Sequence, residues 1–198
     1  MKEIVMIRHG ESEANANGTL SGWSPINLTE KGRQQAEETR KYMKGLTFDR
    51  LFVSDVLRAQ QTADIIFPDM PRTFMPVARE MNVTAMRGKT AEELTELYGK
   101  KYLKCRRDLD FSPLGIDCES KEHLSNRTQE LLDMMAALPD ANRVAVVAHA
   151  RFIRTAAARI LGLSDVRSLP CLNASVSIFR HSPNGWDIVA WSLSTRLP

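Results

Sequence analysis

The chain has 198 residues, a length that favours one domain with at most a small insertion. Hydrophobic residues make up 43% and charged residues 26% of the chain, which is typical of a globular protein with an apolar core and excludes a disordered one. The net charge is only +3, and lysine and arginine are spread along the sequence, so nothing supports a nucleic-acid partner.

The first predicted element is a buried strand that ends in charged residues. The apolar run Ile4–Ile7 predicts the strand, and Arg8, His9, Gly10 and Glu11 follow it directly. Ligands of open α/β sheets bind outside the carboxyl ends of the strands, so His9 is placed where such a site would form. Arg8 has the planar fork that suits phosphate or carboxylate, and Gly10 would let a ligand approach the backbone. The pattern predicts an anion site.

A polar loop and a helix are predicted next. The loop covers residues 12–27, and its Ser12 and Asn15 offer further hydrogen bonds near His9. The helix begins after Thr29, which has the side chain and the position of an N-cap. Its expected apolar stripe consists of Leu28, Ala36, Met43 and Leu46.

A second strand and helix place an arginine in an unfavourable position. The strand is predicted over 51–53 and the helix over 56–67, with Arg58 in the first helical turn. A cation there opposes the helix dipole, a local conflict that is expected where function overrides propensity. The alternative is a surface arginine paired with Asp55 or Asp64.

The middle of the chain is less regular. We expect residues 80–118 to form a small cap-like insertion, with one helix over 92–98 and a loop over 111–117. A short strand is expected near Phe74, before this insertion. A longer helix is predicted over 120–138, after it.

A second buried strand also ends in a histidine. The run Val144–Ala148 predicts the strand, His149 follows it, and a helix is expected over 151–161. The alternative role for His149 is to cap that helix. The tail, with turn residues at 182–185, predicts a hairpin. Strands that alternate with helices predict a three-layer α/β/α fold around a mostly parallel central sheet.

Five blocks of this sequence resemble, in the same order, the histidine phosphatase superfamily, which includes the cofactor-dependent phosphoglycerate mutases. The blocks are Ile7 to Asn15 continued at 22–23 and 28–32, residues 54–63, residues 79–82 continued at 88–90, Glu119-Ser120, and Val147-Ala148-His149. The resemblance covers nearly the whole chain. It implies one phosphoglycerate mutase-like domain over residues 1–198.

The resemblance also implies a catalytic role for each residue of the anion site. His9 would be the nucleophile and become a phosphohistidine. Arg8, Arg58 and His149 would surround the phosphate, because fixed cations stabilise the charge on its equatorial oxygens. Glu80 would protonate the leaving oxygen and later serve as the base for water.

Loop residues beside the phosphate are the expected substrate contacts. They are Asn15, Ser21, Gly22, Ala150 and Arg151. The family usually has glycines after the second histidine, where this chain has Ala150 and Arg151. Arg151 would lie near the mouth of the site and favour a second acidic group; the alternative is that it points to solvent. The alternative for Glu80 is a surface pair with Arg79.

Hydrolysis is the activity that the resemblance favours. It implies a metal-independent phosphomonoesterase of the histidine acid phosphatase type, acting on a small phosphorylated metabolite without a cofactor. Phosphoglycerate mutase activity is the alternative, which the compact middle of the chain disfavours. A catalytically silent module that binds a phosphorylated ligand is a third. A metal site at His9, Glu80 and His149 is disfavoured, because the two arginines would repel a cation.

The sequence also bears on the setting of the protein. No apolar run approaches the ~20 residues of a membrane span, and the first strand begins at the N-terminus, so we expect no membrane partner and no secretory leader. Cys105, Cys118 and Cys171 have no CxxC spacing and are expected to be reduced thiols of a cytoplasmic protein. Monomer and homodimer both remain open.

Overall fold

A six-stranded sheet forms the centre of the computed structural model, which describes residues 2–164 and 169–194. The strands are β1 (Lys2–Arg8), β2 (Arg50–Val53), β3 (Arg72–Phe74), β4 (Arg143–Ala148), β5 (Val176–Ser182) and β6 (Gly185–Leu193). Their order is β3-β2-β4-β1-β5-β6. The first four are parallel, β5 is antiparallel to β1, and β6 is antiparallel to β5. The predicted mostly parallel sheet is confirmed.

Helices cover both faces of this sheet. In the described residues they are α1 (Glu13–Ala16), α2 (Glu30–Tyr42), α3 (Leu57–Ile66), α4 (Ala91–Asp108), α5 (Lys121–Ala137) and α6 (Ala150–Leu161). Successive residues of a strand point to opposite faces. Ile4 and Met6 of β1 therefore join a core with α5 and α6, and Val5 and Ile7 join a second core with α2 and α3. The fold has the expected three layers.

The parallel register brings three strand ends to one edge of the sheet. Arg8 of β1 pairs with Ala148 of β4, and Val53 of β2 pairs with the preceding residue of β4. The residues that follow the three strands are therefore neighbours, although they are far apart in the sequence. These residues are His9, Ser54 and His149.

The middle segment contains more helix than the pattern indicates. Helix α4 has 18 residues and begins with a capping box between Thr90 and Glu93, so the predicted span of 92–98 is too short. Gly99 interrupts the helical backbone with φ of 57°, and the helix resumes after it. Glycine adopts this conformation without strain. Because the helical backbone is interrupted there, the apolar pattern predicts only the part of the helix before Gly99. Residues 112–114 form a short 3-10 turn inside the predicted loop.

The middle segment also packs onto the sheet. Met81, Leu94, Tyr102 and Phe111 are buried in the same core as α5 and α6.

The expectation that Leu46 belongs to the apolar stripe of α2 is wrong. Helix α2 ends at Tyr42, and the Leu46 side chain lies beyond it and is 43% exposed. No helix in the described part of the chain combines the length and the apolar character needed to cross a membrane.

Candidate active site

The two histidines that follow β1 and β4 lie side by side. The rings of His9 and His149 have their centroids 5.1 Å apart, and the His9 amide donates to the carbonyl oxygen of Ala148 at 3.0 Å. Both side chains are buried. The strand register therefore produces the pair that the sequence pattern predicts.

His9 is held in the form that a nucleophile requires. Its Nδ1 lies 2.6 Å from the carbonyl oxygen of Gly10, which can only accept, so we assign the proton to Nδ1. This leaves the lone pair on Nε2, which accepts from Nε of Arg58 at 3.2 Å. Burial, and then the charges of Arg58 and Arg8, hold the pKa of His9 well below its ordinary value of 6.5. The imidazole is therefore neutral at pH 7.

Arg58 is buried at the start of α3, with 2% of its surface exposed. Its Nη2 donates to the carbonyl oxygen of Gly22 at 2.9 Å. Burial lowers its pKa to about 10, so it remains charged at pH 7. The surface alternative for Arg58 is wrong, because Arg58 is buried and both aspartates form ion pairs with other arginines.

A small pocket of about 130 Å³ opens beside His9. The predicted site residues that line it are Arg8, His9, Asn15, Ser21, Gly22, Arg58, Glu80 and Arg151. His149 and Ala150 are not part of this lining in the described chain, although the ring of His149 lies beside that of His9. Thr19, Leu20 and Val83 also line the pocket, and no motif in the sequence pointed to them.

Three buried nitrogens around His9 have no hydrogen-bond partner in the described residues. They are Nε of Arg8, Nη1 of Arg58 and Nδ1 of His149. A buried polar group without a partner costs about 1–3 kcal/mol, so such groups are rare unless a ligand satisfies them. Arg8 also donates from Nη1 to the carbonyl oxygen of Cys171 at 2.5 Å, which fixes its direction. The arrangement suits an anion with several oxygens.

His149 does not cap α6 with its side chain. It occupies the N-cap position, but no cap hydrogen bond forms, and its Nε2 lies 2.8 Å from Oγ of Ser54. Burial, and then the charge of Arg58, hold the pKa of His149 well below its ordinary value. Sequence reasoning gave Ser54 no role, although it follows β2 just as the two histidines follow β1 and β4.

Glu80 lines the pocket from the segment between β3 and α4. Its Oε1 accepts from the amide of Met81 at 2.9 Å, and its Oε2 accepts from the amide of Arg151 at 3.3 Å. The amide of Arg151 belongs to the first turn of α6, where a carboxylate is favoured. The surface-pair alternative for Glu80 is wrong, because Arg79 binds Asp55 instead.

The backbone of Glu80 is fixed by hydrogen bonds from distant side chains. Nη2 of Arg127 and Nε1 of Trp23 both donate to the Glu80 carbonyl oxygen, at 3.0 and 2.6 Å. Arg127 also binds the buried carboxylate of Glu119 through Nε at 2.6 Å and Nη2 at 2.8 Å. Glu119 in turn accepts from the amide of Asn82 at 2.9 Å. We call Arg127 and Glu119 the clamp; the sequence analysis gave Arg127 no role.

The loop after β1 is joined to the end of the chain. Asn173 donates from Nδ2 to the carbonyl oxygen of His9 and to Oδ1 of Asn15, both at 3.2 Å.

The expectation that Gly10 lets a ligand approach the backbone is wrong. A Cβ at Gly10 would lie 2.3 Å from the carbonyl oxygen of Gly32, so the glycine permits close packing against α2 and not the approach of a ligand.

Known proteins match this chain along nearly its whole length. The sequence profile of the histidine phosphatase superfamily (branch 1) matches residues 4–194. A 2,3-bisphosphoglycerate-dependent phosphoglycerate mutase from Haemophilus influenzae is 31% identical over 196 residues, covering 82% of this chain and 86% of that protein. A phosphoserine phosphatase from Entamoeba histolytica, in complex with 3-phosphoglyceric acid, is 27% identical with a TM-score of 0.83 over 98% of both chains. The alpha-ribazole phosphatase from Shigella flexneri shares the fold, with a TM-score of 0.87 at 21% identity over 96% of both chains.

Proposed function

We propose that this chain, which belongs to the histidine phosphatase superfamily, hydrolyses small phosphomonoesters through a phosphohistidine. The observation that supports this most strongly is the convergence on one small pocket of a neutral His9 and two arginines with unsatisfied nitrogens. Arg8 and Arg58 would supply hydrogen bonds and positive charge to the phosphoryl oxygens. His149, whose ring lies beside that of His9 and whose Nδ1 has no partner among the described residues, would complete this cradle.

In the first half-reaction, Nε2 of His9 attacks phosphorus while the bond from phosphorus to the leaving oxygen breaks. Glu80, as the carboxylic acid, gives its proton to that oxygen, so a neutral alcohol departs. The two arginines stabilise the charge that develops on the phosphoryl oxygens in the transition state. The products are the alcohol, the Glu80 carboxylate and phosphohistidine.

In the second half-reaction, water attacks the phosphohistidine. The Glu80 carboxylate takes a proton from the water as the new oxygen–phosphorus bond forms and the bond to His9 breaks. Inorganic phosphate leaves, and both side chains return to their starting forms. The chemistry needs no metal and no cofactor, which is part of the proposal.

The wider setting is also proposed. Residues 1–198 would form one domain, with residues 80–118 as a cap; Glu80 and Met81 line the pocket from this segment. The three cysteines are free, which supports a cytoplasmic location. Small phosphorylated molecules are the expected partners.

Mutase activity is the second candidate. The Haemophilus influenzae relative is named a phosphoglycerate mutase, and in a mutase the phosphohistidine would return its phosphate to a sugar acid instead of to water. Interconversion of 2- and 3-phosphoglycerate that depends on a bisphosphate primer would move the assignment to a mutase.

The test measures hydrolysis of 4-nitrophenyl phosphate in excess chelator by the wild type and by His9→Ala. We expect turnover by the wild type, a loss of about 10⁴-fold or more in the variant, and acid-labile labelling of the wild type from ³²P-labelled substrate. His181→Ala, which removes a histidine of β5 that does not line the pocket, is the matched control. Activity that vanishes with chelator would contradict the metal-free mechanism. Phosphate binding without turnover, equal in wild type and His9→Ala, would favour a silent binding module.

A further inference from the structure

Arg151 places a third guanidinium on the wall of the pocket. It lies in the first turn of α6 and lines the pocket together with Arg8 and Arg58. Its Nη1 lies 2.8 Å from the sulfur of Met81, and a thioether is only a weak acceptor. Within residues 2–164 and 169–194, no carboxylate forms an ion pair with this guanidinium; Glu80 contacts only the Arg151 amide. Among these residues its charge therefore has no direct carboxylate partner, although Glu80 acts on it through space.

The side chain is held in place and does not extend into solvent. The guanidinium carbon lies 5.2 Å from the ring centroid of Phe111, within the range of a cation–π interaction. Phe111 is 1% exposed and stacks on Tyr102, with ring centroids 6.0 Å apart. The alternative that Arg151 points to solvent is wrong. A group supported in this way is prepared to bind before the substrate arrives.

The charges of the pocket are unbalanced even for a bound phosphate. Three arginines line it, together with Glu80, which is the neutral acid in the first half-reaction proposed above. A phosphomonoester contributes about −1.5 to −2 near pH 7, which Arg8 and Arg58 match. Arg151 then remains in excess, at a helix N-terminus where a cation is unfavourable. Nothing in the hydrolysis of the phosphate itself requires this third cation.

We infer that the substrate has, besides the phosphate that is removed, a second anionic group that binds the guanidinium of Arg151. This rests on the proposed phosphatase function and narrows its substrate class to compact phosphomonoesters with a carboxylate or a second phosphate. The planar fork of arginine suits both groups. Because Arg151 lines the same pocket of about 130 Å³ as Arg8 and Arg58, only a short skeleton would separate the two anionic groups.

Matched substrates with and without the second charge test this inference. The carboxylate arm compares O-phosphoserine with O-phosphoethanolamine, and 3-phosphoglycerate with glycerol 3-phosphate. The second-phosphate arm compares the bis- and monophosphate of 1,3-propanediol. We expect the wild type to prefer the more anionic member of at least one arm by about 10- to 100-fold in kcat/KM, mainly through KM. Arg151→Met should lower that ratio to about one.

Two further variants separate a specific contact from general charge. Arg151→Lys keeps the charge but loses the fork, and should give an intermediate ratio. Arg159→Met removes the same charge from an exposed position of the same helix, and should keep the wild-type ratio. A wild type that treats both members of every pair equally, or an Arg151→Met variant that keeps the preference, overturns the inference.

Failure of the proposed function would give a different result. If the wild type hydrolyses none of these compounds and not 4-nitrophenyl phosphate either, the phosphatase proposal fails. Calorimetric binding of O-phosphoserine and O-phosphoethanolamine to wild type and Arg151→Met then tests the contact without turnover. Preferential binding of O-phosphoserine that disappears in the variant supports the inference, and equal binding overturns it. Circular dichroism checks that each variant is folded.

Discussion

The two walls of the pocket are built in different ways. On the phosphate side, Arg8 ends one of two paired strands, and His9 and His149 follow these strands directly, so the backbone register of the sheet sets their positions. On the donor side, Glu80 lies in an irregular segment whose backbone is held by the side chain of Arg127 from 47 positions away. One wall is held by hydrogen bonds between strands, and the other by hydrogen bonds from the side chains of Arg127 and Trp23 to the Glu80 backbone. We therefore expect mutations in the two walls to impair catalysis in different ways.

The largest effect is expected from a change on the phosphate side. Arg58→Met removes a buried cation that contacts His9, and it should lower kcat/KM about 10³-fold, because such groups stabilise transition-state charge. The loss should be similar for 4-nitrophenyl phosphate and for an alkyl phosphate, since both transfer the same phosphoryl group. Steady-state kinetics on both substrates measure it, with Arg40→Met at an exposed site as the control.

A loss that depended strongly on the leaving group would contradict this assignment. It would mean that Arg58 acts on the departing oxygen and not on the phosphoryl oxygens. Arg58 would then belong to the donor side, and the proposed division between the two walls would be wrong.

The donor side should show the opposite pattern. Arg127→Met removes the clamp on the Glu80 backbone, so proton donation should suffer. We expect kcat to fall about 10- to 100-fold on an alkyl phosphate but only a few-fold on 4-nitrophenyl phosphate, whose leaving group needs little protonation. Glu80→Gln should give the same selective pattern with a larger amplitude. Arg127→Lys keeps the charge and should restore part of the lost activity.

This experiment separates positioning from stability. Breaking a buried ion pair costs about 3–5 kcal/mol, so Arg127→Met will lower the melting temperature, and the assays are run well below it. Partial unfolding would reduce both activities by the same factor. Equal losses on the two substrates would therefore show that Arg127 only stabilises the fold.

The same contrast explains what could be predicted from the sequence. The apolar runs before His9 and His149 predicted the strands, and the parallel pairing of strands required their ends to meet. The same argument applies to Ser54, which follows β2. The clamp could not be found this way, because a bond from Arg127 to the carbonyl oxygen of Glu80 leaves no trace in local periodicity. Arg127 is also polar on a helix that is otherwise typical of a surface helix.

The smallest effect is expected in the pH dependence of stability, where the two walls should respond in different ranges. Burial lowers the pKa of His9 and His149 in the folded protein, whereas the unfolded chain has the ordinary value near 6.5. Below that pH the unfolded state binds more protons, so the free energy of unfolding falls by up to about 1.4 kcal/mol per pH unit for each histidine.

On the donor side, burial opposes ionisation of Glu119, but the hydrogen bonds of Arg127 outweigh it and lower the pKa. The stability that this carboxylate contributes is lost only as the pH falls below the ordinary carboxyl range, near 4.3.

Urea unfolding from pH 8 to 4 measures both effects. Between pH 6.5 and 5 the free energy of unfolding should depend less steeply on pH in His149→Gln than in the wild type. Between pH 7 and 8 both histidines are neutral in both states, so the two proteins should differ there by a constant free energy. Equal slopes below pH 6.5 would show that His149 accepts a proton in the folded protein as readily as in the unfolded chain, and the phosphate wall would then not depend on neutral buried imidazoles.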